Sequence, residues 1–321
     1  MPDRPLLADR FQILSLDGGG LRGMYSAAIL AYLEEDLGIR IVDHFDLIAG
    51  TSTGGIIALG LGLGISPREI LEFYIAHGPR IFRDRTRLRS LRRISRTKFS
   101  DAPLRAALDE ILCDRLFGHS TKRLVITSYD IGVGDVHLFR TPHLPALARD
   151  WREKAVDVAM ATTAAPTYFP AMVLGGSRLV DGGIWANNPA MVALTEAVGP
   201  LGRNLDAVRI FSVGTTTDMP HRSPRLDQGG MIPWSLDVVD VLMRAQSDSA
   251  TKQIRHFLGA DHVQRVNSTV PTGFVKLDSV DPSSLIGRAG HESRLIAPQF
   301  NRIFADHTAP PYIPFHSPKE K

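Results

Sequence analysis

Phe45-Asp46-Leu47-Ile48-Ala49-Gly50-Thr51-Ser52-Thr53-Gly54-Gly55-Ile56-Ile57-Ala58-Leu59 decides how this chain is read. A short apolar run, Phe45 to Ala49, reads as a buried strand. A turn of Gly, Ser and Thr interrupts it, and a compact Gly/Ala/Leu/Ile helix follows. Inside the turn, Gly50-Thr51-Ser52-Thr53-Gly54 fits G-x-S-x-G, in which a sharp strand-to-helix reversal lifts a serine above the sheet and small neighbours permit the strained backbone. Alone, that pattern arises by chance in roughly one chain in ten of this length, so the strand before it and the helix after it carry the weight. The bland alternative is a glycine-rich turn that only packs a helix on a sheet.

Upstream, the same grammar occurs once before. Phe11 to Leu16 reads as a buried strand, residues 17–23 as a Gly-rich turn, and Met24 to Leu37 as a helix stopped by Gly38. Two strand–turn–helix units imply a parallel sheet. Asp17-Gly18-Gly19-Gly20-Leu21-Arg22-Gly23 offers consecutive backbone N–H groups with no side chains in the way, ahead of a helix N-terminus that favours anions. Such a loop can hold an oxyanion, and Gly18, Gly19 and Gly20 are the candidate donors, with the N–H of Thr53 beside them. Arg22 either braces the loop or orients a phosphate. Gly18-x-Gly20-x-x-Gly23 also satisfies the dinucleotide fingerprint. Against that reading, the second strand ends in Ala49-Gly50 rather than in a ribose-binding acid, and Asp17 would set a carboxylate against a pyrophosphate.

Downstream, Ser66-Pro67-Arg68-Glu69 combines an N-cap, a proline at the first helical position and a capping-box Glu, predicting a helix to about His77. From Arg80 to Lys98 there are eight Arg and one Lys against one acid, Asp84, with Leu88, Leu91 and Ile94 three apart. This is read as a basic insertion or lid, with a solvated loop as the plain alternative. Near anionic lipid each basic residue is worth ~1 kcal/mol, so even a few engaged arginines would bind a bilayer peripherally. A helix to about Cys113, a strand at Arg123 to Ile131, a hairpin partner at Val136 to Arg140 and a helix around Ala155 to Ala161 follow. A strand Arg178 to Val180 then runs into Asp181-Gly182-Gly183, a helix follows Pro189, and Val208 to Val213 is another buried strand. The segment 215–235 reads as loop and Leu236 to Leu258 as helix, and the tail 309–321 is expected to be flexible.

A serine nucleophile needs a base, ordinarily a histidine. None of the eleven His lies in a glycine-framed turn after a strand, and His221, His256 and His262 are the moderately placed candidates. Asp181, at a strand end before two glycines, is set to stand over the mouth of the sheet. A carboxylate there can accept the serine proton directly, so a dyad suffices. The alternative for Asp181 is an Asx-turn.

Whole-chain features bound the rest. At 321 residues and 44% apolar, the chain can bury a large core as a single domain. Charge is nearly balanced, 37 basic against 34 acidic residues, so a local basic surface says more than the net +3, and nucleic acid is not an expected partner. Cys113 is the only cysteine and Met1 to Arg10 has no apolar core, which leads to the expectation of a cytoplasmic protein. The longest apolar run, Ile56 to Ile65, is about half of the ~20 residues that cross a bilayer, so membrane contact would be peripheral.

Asp17 to Gly23, Gly50 to Gly54 and Asp181 to Gly183, in this order, resemble the complete motif set of the patatin-like phospholipases. Ala161-Thr-Thr-Ala-Ala-Pro-Thr-Tyr-Phe-Pro-Ala171 and Asn187-Asn188-Pro189 resemble the same family's passage into and out of the aspartate strand. The likeness covers about residues 11–215. It implies a three-layer α/β/α fold with a mainly parallel central sheet, a Ser52–Asp181 dyad, and hydrolysis of fatty-acyl esters of membrane phospholipids with no metal and no cofactor in the chemistry. A narrower likeness, carried by Gly54 to Phe82, is to bacterial effectors that a cyclic dinucleotide switches on during antiphage defence. It implies such an activator, carries over no residue as its ligand, and leaves a homo-oligomer open. The alternatives are an esterase or thioesterase on soluble substrates and a non-catalytic scaffold of the same fold.

Overall fold

Strands β1 (Phe11–Leu16) and β2 (Leu47–Thr51) are buried at every position, as strands covered on both faces must be. Alternate side chains go to opposite layers. Leu14, Leu16 and Ile48 join one core while Ile13, Leu47 and Ala49 join another, so the sheet separates two hydrophobic layers. The structure, a computed structural model, describes residues 10–83, 97–218, 227, 229–271, 278 and 280–317.

On the first face lie α1 (Gly23–Leu37), α2 (Thr53–Gly62), α3 (Pro67–Ile81), α4 (Ala102–Leu112) and α5 (Ala155–Thr163). Helix α2 is buried on all sides, and its glycines make that possible: a Cβ at Gly55 would lie 2.8 Å from Thr162, and one at Gly60 2.8 Å from Ile70. Helix α3 carries the expected capping box at Ser66 and Glu69 and runs past His77 to Ile81. The basic segment beyond Arg83 lies outside the described residues up to Thr97.

Strand β3 (Arg123–Asp130) organises the middle of the sheet. Strand β4 (Asp135–Arg140) pairs antiparallel with Val125–Asp130 along one edge of β3. The other edge is shared. Strand β2 runs parallel along Arg123–Thr127, and beyond it β6 (Ser177–Asp181) runs antiparallel along Ser128–Asp130, flanked by β5 (Met172–Leu174). The order is β5-β6-β3-β2-β1 and then β7 (Val208–Val213), with all pairings from β3 through β7 parallel.

The opposite face carries α6 (Gly183–Ala186), α7 (Ala190–Val198) and, after a two-residue strand β8 (Thr217–Asp218), α8 (Met231–Leu258). The region read as loop to residue 235 therefore contains a strand and the first turn of α8. A parallel edge strand β9 (Val263–Val266) joins β7, and β10 (Thr269–Val270) pairs β8. Helix α9 (Pro282–Phe304) closes the first layer against α1. The tail expected to be flexible is instead tied down to residue 317. The N–H of Ala309 donates to the carbonyl of Asp43 and that of Phe315 to Pro142, both at 2.8 Å, and Arg123 lies over the Tyr312 ring. Among the described residues, no helix is long and apolar enough to cross a membrane.

Candidate active site

Ser52 sits between the end of β2 and the start of α2 with φ 55° and ψ −121°, a left-handed conformation rare for a residue with a side chain. The neighbours over-determine it. A Cβ at Gly50 would lie 2.3 Å from the carbonyl oxygen of Gly54, and one at Gly54 2.2 Å from that of Leu16. Both positions must be glycine for the turn to close against β1. The N–H of Ser52 donates to Thr162 Oγ1 (2.9 Å), whose hydroxyl donates to the carbonyl of Thr127 (2.6 Å).

The shared edge of β3 brings Asp181 to Ser52. Thr51 is opposite Thr127 and Asp181 is opposite Ser128, so the two strand ends meet head-on over adjacent β3 residues. The turn after Asp181 is tight enough that a Cβ at Gly182 would lie 2.1 Å from Thr127 Oγ1. Asp181 is buried, accepts the N–H of Gly183 at 2.7 Å, and lies close to Ser52. Burial raises its carboxyl to about 6, against the pull of the Ser52 hydroxyl and the Gly183 N–H.

The glycine loop leaves β1 beside this pair, and here the structure corrects one expectation. The N–H of Gly18 donates to the carbonyl of Asn187 (3.0 Å), so it is not available to a substrate oxygen. Gly18 is needed for a different reason: a Cβ there would lie 2.5 Å from Asn187 Oδ1 and 3.3 Å from Ser52 Cβ. Among the described residues, the N–H groups of Gly19 and Gly20 have no acceptor, and both residues line the cavity at Ser52. Gly20 has φ 58°, the left-handed region that favours glycine. Thr53 begins α2, so its N–H has no intrahelical acceptor, while its hydroxyl meets that of Tyr74. Arg22 braces the loop. Its Nε donates to the carbonyl of Gly19 (3.2 Å) and its Nη1 to that of Thr216 (3.4 Å).

Three supports lay beyond sequence reasoning. Thr215 Oγ1 donates to the carbonyl of Gly18 (3.0 Å). Arg265, on β9, grips the buried Asp17 carboxylate with Nη1 at 2.8 Å and Nη2 at 2.5 Å, and donates to Ser212 Oγ (2.8 Å). Burial pushes the Asp17 carboxyl up, and the paired guanidinium opposes that. Asn187 entered only as part of a motif, without its bond to Gly18. A lone arginine inside Val263-Gln264-Arg265-Val266, an otherwise buried strand, was the one available signal.

Of the candidate histidines, His221 lies outside the described residues. His256 is in the last turn of α8 and His262 directly precedes β9. Since β9 runs parallel to β7 and β1, both stand at the N-terminal ends of the parallel strands, opposite Ser52. Among the described residues, no histidine lines the cavity, and no group of three metal-ligating side chains comes together.

The cavity, ≈ 150 Å³, has Ser52, Asp181, Gly19, Gly20 and Thr53 at its polar end. Leu21, Ile56 and Phe73, with Phe82, Phe169 and Met243, make the rest apolar. A polar reacting end on an apolar chamber suits an ester whose acyl part is a hydrocarbon chain.

The patatin-like phospholipase profile matches residues 14–194, more than half of the chain. The chain belongs to the patatin-like phospholipase family. Its relatives include the cGAMP-activated phospholipase of Pseudomonas aeruginosa, 33% identical, with 97% of this chain and 96% of that protein covered. The cGAMP-activated phospholipase of Vibrio cholerae is 30% identical, covering 95% of this chain and 96% of that protein. That of Escherichia coli is 37% identical over 68% of this chain and 65% of its own length. This patatin-like chain is thus a lipid acyl hydrolase of the α/β class. The matched stretch holds both halves of the Ser52–Asp181 contact and the glycine loop, whereas Thr215 and Arg265 lie beyond it.

Proposed function

We propose that this chain hydrolyses fatty-acyl esters of membrane phospholipids through a Ser52–Asp181 dyad and is switched on by a cyclic dinucleotide. The observation that carries the chemistry is a serine held in a left-handed elbow beside a buried carboxylate, both at the polar end of an apolar cavity. Asp181 takes the Ser52 proton as Oγ attacks the ester carbonyl. The N–H groups of Gly19, Gly20 and Thr53 stabilise the oxyanion, and each such donor is worth a few kcal/mol of barrier. Asp181 then protonates the departing lysophospholipid alcohol. Water, deprotonated by the same carboxylate, frees the fatty acid and restores Ser52. None of these steps calls on a metal.

The activator is proposed from the relatives, named as cGAMP-activated in three bacteria. An activator must bind the active state more tightly than the silent one. Action at the inner face of the membrane, by a single domain, completes the reading. The test is fatty-acid release from phospholipid vesicles by the purified chain, with and without cGAMP and with Ser52→Ala as control. Release that requires both Ser52 and the nucleotide is expected. Turnover confined to soluble short-chain esters would leave an esterase on the same fold.

A further inference from the structure

Four aliphatic side chains stand in solvent at the antiparallel end of the sheet: Val133 at 76% exposure, Val173 at 68%, Val136 at 47% and Ile131 at 42%. The register makes them one surface. Val136 is opposite Tyr129, Tyr129 is opposite Val180, and Val173 is opposite Arg178. Directly opposed residues share a face, as do residues two apart on one strand. Val136, Arg178 and Val173 therefore point the same way. The N–H of Ile131 donates to the carbonyl of Arg178 (2.9 Å), which draws the β3–β4 turn, with Val133 at its tip, into the same ladder. The reverse face holds buried Leu179 under α5. An open face of an antiparallel sheet ordinarily carries polar side chains. Here Val180 is covered, while Val136 on one side of it and Arg178 and Val173 on the other reach solvent, so the exposed part carries β-branched aliphatics around an arginine.

Its position relates it to catalysis. Asp181 is opposite Ser128, and Ile131 and Arg178 are three positions farther along the same ladder. At ~3.3 Å per residue Ile131 and Arg178 lie about 10 Å beyond Asp181 along the ladder, past the C-terminal end of β2, with Val136 nearer. Ile184 on α6 and Leu242 on α8 both line the cavity and reach solvent.

We propose that this sheet face, with Ile184 and Leu242 at the cavity mouth, docks the enzyme on a phospholipid bilayer, Arg178 meeting the lipid phosphates. The proposal rests on the phospholipid reading above and names the surface that reading needs. A second copy of the chain is the weaker occupant. A stable protein interface needs ~800 Å² from each side, and a hairpin tip and one edge strand fall well short of that. A bilayer sets no such threshold, because each apolar side chain that passes the headgroups adds its own burial.

The test replaces Ile131, Val133, Val136 and Val173 together by Thr, which keeps the β-branched shape that suits a strand. Binding is read by co-sedimentation with phosphatidylethanolamine–phosphatidylglycerol vesicles, with and without cGAMP, in a Ser52→Ala background so that the lipid survives. The quadruple variant is expected to bind on the order of tenfold to a hundredfold more weakly. In the active chain, its fatty-acid release from vesicles should drop in parallel, while kcat/KM on p-nitrophenyl butyrate stays at the parent value. In a separate chain, Val133→Trp should show blue-shifted emission on vesicle binding and quenching by brominated lipid. Vesicle binding and turnover equal to the parent's, or an unshifted indole in the bound state, overturns the proposal. Loss of self-association with vesicle binding intact overturns it in favour of a contact between copies. A parent that cleaves the soluble ester but never vesicle lipid defeats the phospholipid reading itself, a result distinct from these.

Discussion

Asp181, the base of the proposed mechanism, sits where burial works against its charge, and this has two measurable consequences. Its carboxyl titrates at about 6, because burial outweighs the pull of the Ser52 hydroxyl and the Gly183 N–H. The base must be ionised, so kcat/KM on a soluble ester should be flat above that pH and fall tenfold per unit below it. Asp181→Asn should remove about 10²–10⁴-fold of the rate. For stability the sign is opposite. The folded chain binds this proton more tightly than the unfolded one, so the ionised carboxylate costs stability above pH ~6, and the cost fades as pH falls toward 4. Asp181→Asn should thus melt no lower than the parent at pH 8, with a gain of up to roughly 3 kcal/mol that closes by pH 4. Denaturation at the two pH values checks it. Arg265 is a positioning residue in the same frame. Arg265→Lys keeps the charge on Asp17 but not the two-point grip, so kcat should fall on the order of tenfold with KM little changed. Affinity for a boronic acid, which mimics the oxyanion, should weaken alongside kcat. If affinity holds while kcat drops, the Arg265–Asp17 pair does not set the loop. That Ser52, Asp181 and the glycine loop come together was legible in sequence, because steric limits pin glycine at set offsets around them. The diversion of the Gly18 N–H to Asn187 and the grip of Arg265 were not legible, since both join segments far apart in the chain.

Among the elements, the elbow between β2 and α2 is the least tolerant of change. Gly54→Ala would place a methyl 2.2 Å from the backbone oxygen of Leu16, and backbone cannot move aside as a side-chain end can. Overpacking of this kind costs ~1–3 kcal/mol and here must also displace Ser52. The variant should therefore lose activity well beyond its loss in Tm, as measured by ester turnover at a temperature where circular dichroism shows it folded. The strands β1 and β7 and the helix α1 were readable nearly to the residue, their apolar runs being bounded by glycine or by helix caps. The direction of β6 was not readable, because an apolar run looks the same either way, and it proves antiparallel to β3. Helix α9 passed unread although Asp281 caps it through Ser283 and Ser284. Its buried row runs through Ala289, Ser293 and Ala297, small residues that let it lie close on α1 yet leave little apolar signal.

Across the whole molecule, the tail acts as a strap over the N-terminal ends of the strands, away from the chemistry. His307 bonds Asp46 (2.8 Å), the carbonyl of His307 accepts from His44 (2.7 Å), and Ala309 reaches Asp43. The Pro-rich composition read as flexibility works instead by holding an extended path that needs few bonds to fix it. Deleting residues 306–321 should lower Tm by several degrees, since each lost bond is worth about 1 kcal/mol, and should leave KM for a soluble ester unchanged. A shift in KM would place the strap in the site's mechanics. The head-on meeting of β2 and β6 over β3 has a consequence in time as well as in space. A chain leaving the ribosome carries Ser52 near the start but has no Asp181 beside it until residues 177–181 have emerged and paired with β3. If β6 slips by a single residue it turns Asp181 to the wrong face. Under the proposed dyad, a truncated or misregistered product is born disarmed, and hydrolysis waits until synthesis is well past the middle of the sheet.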